Sequence, residues 1–96
     1  MSEEYISRST AVAARLIGNE MMIMSATDST LFHLNKTGTI IWLAADGKTT
    51  LGEIVRSRIC QGRKVDPDTA YRDAKEFVAA LAQHGVLRIS HQPLDR

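Results

Sequence analysis

Leu34-Asn35-Lys36-Thr37-Gly38-Thr39-Ile40-Ile41-Trp42-Leu43-Ala44-Ala45-Asp46-Gly47 is the stretch whose reading decides the fold, because the apolar periodicity of the chain changes inside it. Upstream of it, apolar residues come in short strand-like runs; downstream they recur at helical spacing. The side-chain oxygen of Asn35 can accept from the first free N–H groups of a following helix, so Asn35 reads as an N-cap. Ile40, Ile41, Leu43 and Ala44 give that helix its apolar face, and Asp46-Gly47 reads as its stop. Trp42, the only tryptophan, falls in the same run and reads as core.

Toward the N-terminus, Thr30 to Leu34 has the length of an antiparallel strand, with Phe32 and Leu34 on one face and Leu31 and His33 on the other. Asp28-Ser29 is the turn before it. Two earlier apolar runs, 21–26 and 12–17, are separated by Gly18-Asn19-Glu20, the composition of a hairpin turn. Residues 1–10 are polar apart from Tyr5 and Ile6 and are expected to form a flexible arm.

Toward the C-terminus, Thr50 and Glu53 stand at capping-box spacing and open a second helix whose apolar positions are Leu51, Ile54, Val55 and Ile59. Gln61-Gly62-Arg63-Lys64 is its polar exit. Asp66-Pro67-Asp68 starts a third helix, since proline is tolerated at the first helical position and acids favour the positive helix end. Tyr71, Ala74, Phe77, Val78 and Leu81 form its stripe, and Gly85 stops it. Val86 to Ile89 is a short extended segment, followed by a polar tail over 90–96. The expected architecture is α+β: a three-stranded antiparallel sheet followed by three helices, close to a winged helix-turn-helix, with one domain over 11–89.

Composition narrows the function. The chain has 96 residues, 44% hydrophobic and 24% charged, enough for one small core and no second domain. A net charge of +1 gives no global field toward nucleic acid or anionic lipid. A single cysteine, Cys60, excludes an internal disulfide, and no signal peptide precedes the domain, so a cytoplasmic location is expected. The longest apolar run, Ile40 to Ala45, is far short of the roughly 20 residues that span a bilayer.

Glycine-rich phosphate loops, paired cysteines, metal-ligand histidine pairs and nucleophile motifs are all missing, so the chain is read as non-catalytic, without metal or cofactor. His33, His84 and His91 belong to different elements, and Cys60 reads as a small packed side chain. Met21, Met22 and Met24 read as core filling. Arg56, Arg58, Arg63 and Lys64 could meet phosphates, which makes a small winged-helix DNA-binding regulator the rival reading. The third helix opposes it: Asp66, Asp68, Asp73 and Glu76 outnumber Arg72 and Lys75 at the end that would enter a groove.

In a three-strand meander the third strand, Thr30 to Leu34, must lie at an edge with one row of backbone groups unpaired. A guest peptide can supply those hydrogen bonds while a neighbouring helix offers side-chain pockets.

Phe32, Leu34-Asn35, Thr37-Gly38, Ile41-Trp42-Leu43, Asp46-Gly47 and Thr50 together resemble the PqqD-like family, in which a strand ends in Leu-Asn, then Thr-Gly, then a helical Trp. Ile54-Val55, Asp73, Phe77 to Leu81 and Gly85-Val86-Leu87 extend the resemblance over about Val12 to Ile89. It implies a recognition element for the leader of a ribosomally made, post-translationally modified precursor peptide, serving a partner such as a radical SAM enzyme or a leader protease or cyclase. It further implies that the leader adds beside Thr30, Leu31, Phe32, His33 and Leu34, against the third helix. Arg72, Lys75, Glu76, Ala79 and Gln83 are the wall residues expected there, and Asn35, Thr37, Gly38, Trp42, Asp46 and Gly47 are the structural motif. Members dedicated to pyrroloquinoline quinone (PQQ) synthesis carry Pro-Glu-Gly ahead of Leu-Asn, where this chain has Ala26-Thr27-Asp28-Ser29-Thr30. Lasso and other modified peptides are therefore equally open as products.

Overall fold

A computed structural model describes residues 4–10, 12–26, 28–60 and 65–93. Its elements are β1 (Tyr5–Arg8), β2 (Val12–Ile17), β3 (Glu20–Ser25), β4 (Leu31–Leu34), α1 (Lys36–Ala44), β5 (Asp46–Thr50), α2 (Leu51–Ile54) with a following turn (Val55–Ile59), α3 (Pro67–Gln83) and β6 (Leu87–Ser90). The α+β class and the three helical segments agree with the sequence reading. The single sheet does not: the strands form two three-stranded antiparallel sheets, ordered β2-β3-β4 and β5-β1-β6.

The meander is the part that local pattern foretold. In β3, Met21, Ile23 and Ser25 point inward and are buried, and they face Leu34 and Phe32 of β4 across the ladder. Gly18 takes φ of +65° in the tight β2–β3 turn, a conformation that favours glycine. Asn35 then caps α1 as expected, its Oδ1 accepting from the Gly38 N–H at 2.8 Å. The Thr39 hydroxyl, fully enclosed, accepts from Met21 N–H at 3.0 Å and donates to Leu34 C=O at 3.3 Å. It bridges the end of the β3–β4 ladder and fastens α1 to both strands.

The second sheet corrects the sequence reading in two places. Residues 5–8, expected within a flexible arm, form the central strand, paired with β5 on one side and β6 on the other. Ile6 is its one fully buried residue, so the strand shows none of the alternation that marks a longer one. Asp46-Gly47, expected only to stop α1, begins β5: Asp46 Oδ1 accepts from the N–H of Lys48 and Thr49, and Gly47 takes φ of +78°. These bonds stabilise the ionised Asp46 carboxylate and hold its pKa below the ordinary value, the Lys48 N–H foremost. Arg8 completes the junction by donating to the C=O groups of Trp42 and Leu43 at the end of α1.

The helices follow their caps. Thr50 Oγ1 accepts from Glu53 N–H at 3.2 Å, although the Glu53 carboxylate pairs with Arg56 instead of closing the box. The turn after α2 widens to an i to i+5 bond, Cys60 N–H to Val55 C=O, and Cys60 is half-buried against the core. Asp66 caps α3 through Thr69. Gly85, at φ of +73°, ends α3: its N–H reaches Ala82 C=O and that of Val86 reaches Leu81 C=O, the bond pair of a Schellman stop. Ala74, Val78 and Leu81 enter a shared core with Ile6, Ile23, Ile41, Trp42, Leu51, Ile54 and Leu87. The polar exit at 61–64, with Arg63 and Lys64 of the basic cluster, and the last tail residues 94–96 lie outside the described residues.

Candidate functional site

β4 lies at the edge of its sheet, and the ladder fixes which of its backbone groups look outward. Ser25 N–H donates to Thr30 C=O at 2.9 Å, and the Thr39 hydroxyl bridges Met21 N–H to Leu34 C=O. Residues 30, 32 and 34 therefore turn their backbone groups toward β3. Alternation in an antiparallel pair then turns the N–H and C=O of Leu31 and His33 toward the open edge. The Leu31 side chain is 56% exposed and that of His33 is 60% exposed, whereas Leu34 is buried and Phe32 half-buried. The expected division of faces is the one found.

α3 approaches this edge at two points, against α1 just beyond the Asn35 end of β4 and against β4 itself near the β3–β4 turn. Near Asn35, the ring of Phe77 lies so close to Gly38 that a Cβ there would meet it at 3.0 Å. Near the β3–β4 turn, the ring of His84 meets Phe32 edge-on, with centroids 5.2 Å apart. At 100° per residue, Asp73, Ala80 and His84 lie within about 60° of Phe77 round the helix. Those four form the face beside β4.

Of the wall residues expected from sequence, Glu76 and Gln83 sit about 100–120° from Phe77, on the rim of this face. Arg72, Lys75 and Ala79 lie about 140–160° away and point from β4. Lys75 instead places its ammonium 5.8 Å over the Tyr71 ring on the far flank. Phe77 packs against the core as its place in the stripe implies and also lies against Gly38; a glycine in the first turn of α1 is the sequence signal of such a close neighbour.

Between the N-terminus of α1, the turn after α2 and α3 lies a recess of about 390 Å³. Asn35, Gly38, Ile41, Ile59, Asp73 and Phe77 are among its walls. Its wall at Asn35 directly follows the last residue of β4. Polar groups at the edge are paired locally: Glu20 holds His33 Nε2 at 2.8 Å, and Asp28 holds His84 Nδ1 at 2.8 Å. The His84 bond, followed by the Thr30 N–H, holds the Asp28 carboxyl well below the usual carboxylate range. His33 and His84 thus stand apart, each with its own carboxylate, and among the described residues no cluster could hold a metal ion. Nor is any described helix long and apolar enough to cross a membrane.

The solved structure titled TbiB1 in complex with the TbiA(beta) leader peptide is similar at 32% sequence identity and a TM-score of 0.75, over 85% of this chain and 94% of that one. Among curated proteins none matches. The profile of the coenzyme PQQ synthesis protein D (PqqD) family matches residues 20–87, from the start of β3 through α3 to Leu87. This span contains both the edge strand and the helix beside it, and the chain belongs to the PqqD family.

Proposed function

We propose that this chain is a non-catalytic adaptor that binds the leader of a ribosomally synthesised precursor peptide by strand addition to β4 and presents it to a modifying enzyme. The observation that carries the reading is the outward row of Leu31 and His33 backbone groups lying beside α3, in a chain similar to one solved with a leader peptide bound. Main-chain bonds to β4 supply affinity independent of the guest's side chains. Selectivity comes from the Asp73, Phe77, Ala80 and His84 face and from the recess at Gly38. Glu76 and Gln83 stand at the rim. The partner is a radical SAM enzyme, or a leader protease or cyclase, acting in the cytoplasm where precursor and enzyme are both made. The DNA-binding reading has less support, since Arg56 is tied to Glu53 and the N-terminal turn of α3 is capped by Asp66.

The test is titration of the labelled protein with a synthetic peptide matching the leader of the precursor encoded beside its gene. Amides of Leu31 to Leu34 and of Phe77 to His84 are expected to shift at micromolar peptide; no shift at these positions overturns the reading. His33→Pro removes one outward N–H while leaving the bonds to β3 in place. A net hydrogen bond of about 0.5–1.5 kcal/mol predicts a weakening of roughly two- to tenfold, with a smaller change in stability. Equal losses of binding and folding would count against the edge.

A further inference from the structure

At the C-terminal end of α3, where Leu81 is packed in the core, three further contacts converge on His84. Its backbone C=O accepts from the hydroxyl of Ser25, which is fully buried, at 2.9 Å. Its Nδ1 stands 2.8 Å from Asp28 Oδ2, and since an ionised carboxylate only accepts, Nδ1 carries the proton. The ring meets Phe32 of β4 edge-on. Asp28 in turn uses Oδ1 to accept from the Thr30 N–H at 3.0 Å. One carboxylate therefore spans the end of the helix and the start of the edge strand.

The surrounding backbone is set to keep this arrangement. Ser29, at φ of +59°, adopts a conformation that side chains rarely take, and its N–H donates to Ser25 C=O at 2.8 Å. On the other side, the Gly85 stop fixes the direction in which His84 leaves the helix. The opposite end of β4 needs no such latch, because Phe77 already rests against Gly38. Asp28 and His84 side chains remain 41% and 39% exposed. An ion pair that exposed contributes little to stability. Its geometric consequence is local: it fixes where the His84 ring stands against Phe32 of β4.

We infer that His84 is a positioning residue for peptide binding, a latch through which Asp28 and Phe32 define one side of the groove between α3 and β4. This rests on the strand-addition reading. With the latch closed, Phe77 and His84 are posts seven residues, about 10 Å of helix rise, apart on α3, with the exposed Ala80 between them as the gap for a guest side chain. With it open, Leu81 in the core and the bond to Ser25 still hold that end of the helix, but the His84 ring loses its fixed place against Phe32 and that side of the groove is no longer defined.

The experiment is calorimetric titration of the parent, His84→Ala, His84→Asn, Asp28→Ala and the double variant Asp28→Ala/His84→Ala with the synthetic leader peptide described above, alongside a thermal melt of each. Asn places an amide N–H where Nδ1 stands and so keeps the bond to Asp28. Expected are a loss of affinity of about tenfold for His84→Ala with a melting temperature close to the parent's, recovery of most of that loss in His84→Asn, and a double variant no weaker than His84→Ala alone. The latch is overturned if His84→Ala binds within twofold of the parent, if His84→Asn recovers nothing, or if the single losses add. A parent that fails to bind overturns the groove reading and the latch with it; a parent that binds as well as its variants overturns the latch alone.

Discussion

Thr39 shows how much one hydroxyl can settle at the residue scale. It sits in the first turn of α1 and links β3 to β4 from above, so the change from strand to helix is welded at a single buried atom. Thr39→Val keeps the shape and leaves the Met21 N–H without its partner. The expected cost is about 1–3 kcal/mol, seen as a melting temperature lower by roughly 4–8 °C for each kcal/mol. An unchanged melt would show that the ladder closes without the hydroxyl. Asp28 carries a second expectation. Its folded-state pKa is depressed by His84 first and then by the Thr30 N–H, so its contribution to stability is present above the unfolded carboxylate value of about 3.9 and is lost as pH falls below it. Because the pair with His84 is exposed and Asn keeps an acceptor for the Thr30 N–H, Asp28→Asn is expected to melt only slightly below the parent at pH 7 and to converge with it as pH falls from about 4 toward 2.5. A gap that stays constant over that range would remove Asp28 as its source.

At the scale of elements, the parts that local rules govern fell where the sequence placed them. Asn35, Thr50 and Asp66 all cap helices, and Gly85 ends α3, because a cap needs only residues three or four positions away. β1 and β5 could not be read in that way. Tyr5 pairs with Thr50 and with Ser90, partners far along the chain, and β5 is the polar sequence Asp46 to Thr50 with no strand-like alternation. Ile6→Ala distinguishes a structural strand from an arm. Removing the fully buried side chain is expected to cost about 2–5 kcal/mol in urea denaturation, where a loose arm would register nothing.

At the scale of the whole molecule, function depends on how two elements distant in sequence lie side by side. The edge strand was legible, because a strand of alternating Leu31, Phe32, His33 and Leu34 after two others must end a meander, and the Leu-Asn, Thr-Gly and Trp pattern pointed to the same family that the profile match gives. The helix face was not legible. Periodicity reports that Tyr71, Ala74, Phe77, Val78 and Leu81 share a side, but it carries no information on which neighbour each meets; Phe77 packs against the core as its place in the stripe implies and also meets Gly38. The same limit hid His84, whose importance comes from Asp28 and Phe32, both more than fifty residues earlier. The meander, the helix caps and stops, and the family could all be read from the chain before folding, since each rests on short-range hydrogen bonding or on a motif. That residues 5–8 are the centre of a second sheet, and that Phe77 meets Gly38 and His84 meets Phe32, came from the folded molecule alone, since pairing over long chain separations and the rotation of a helix against a sheet are set by packing of the whole core.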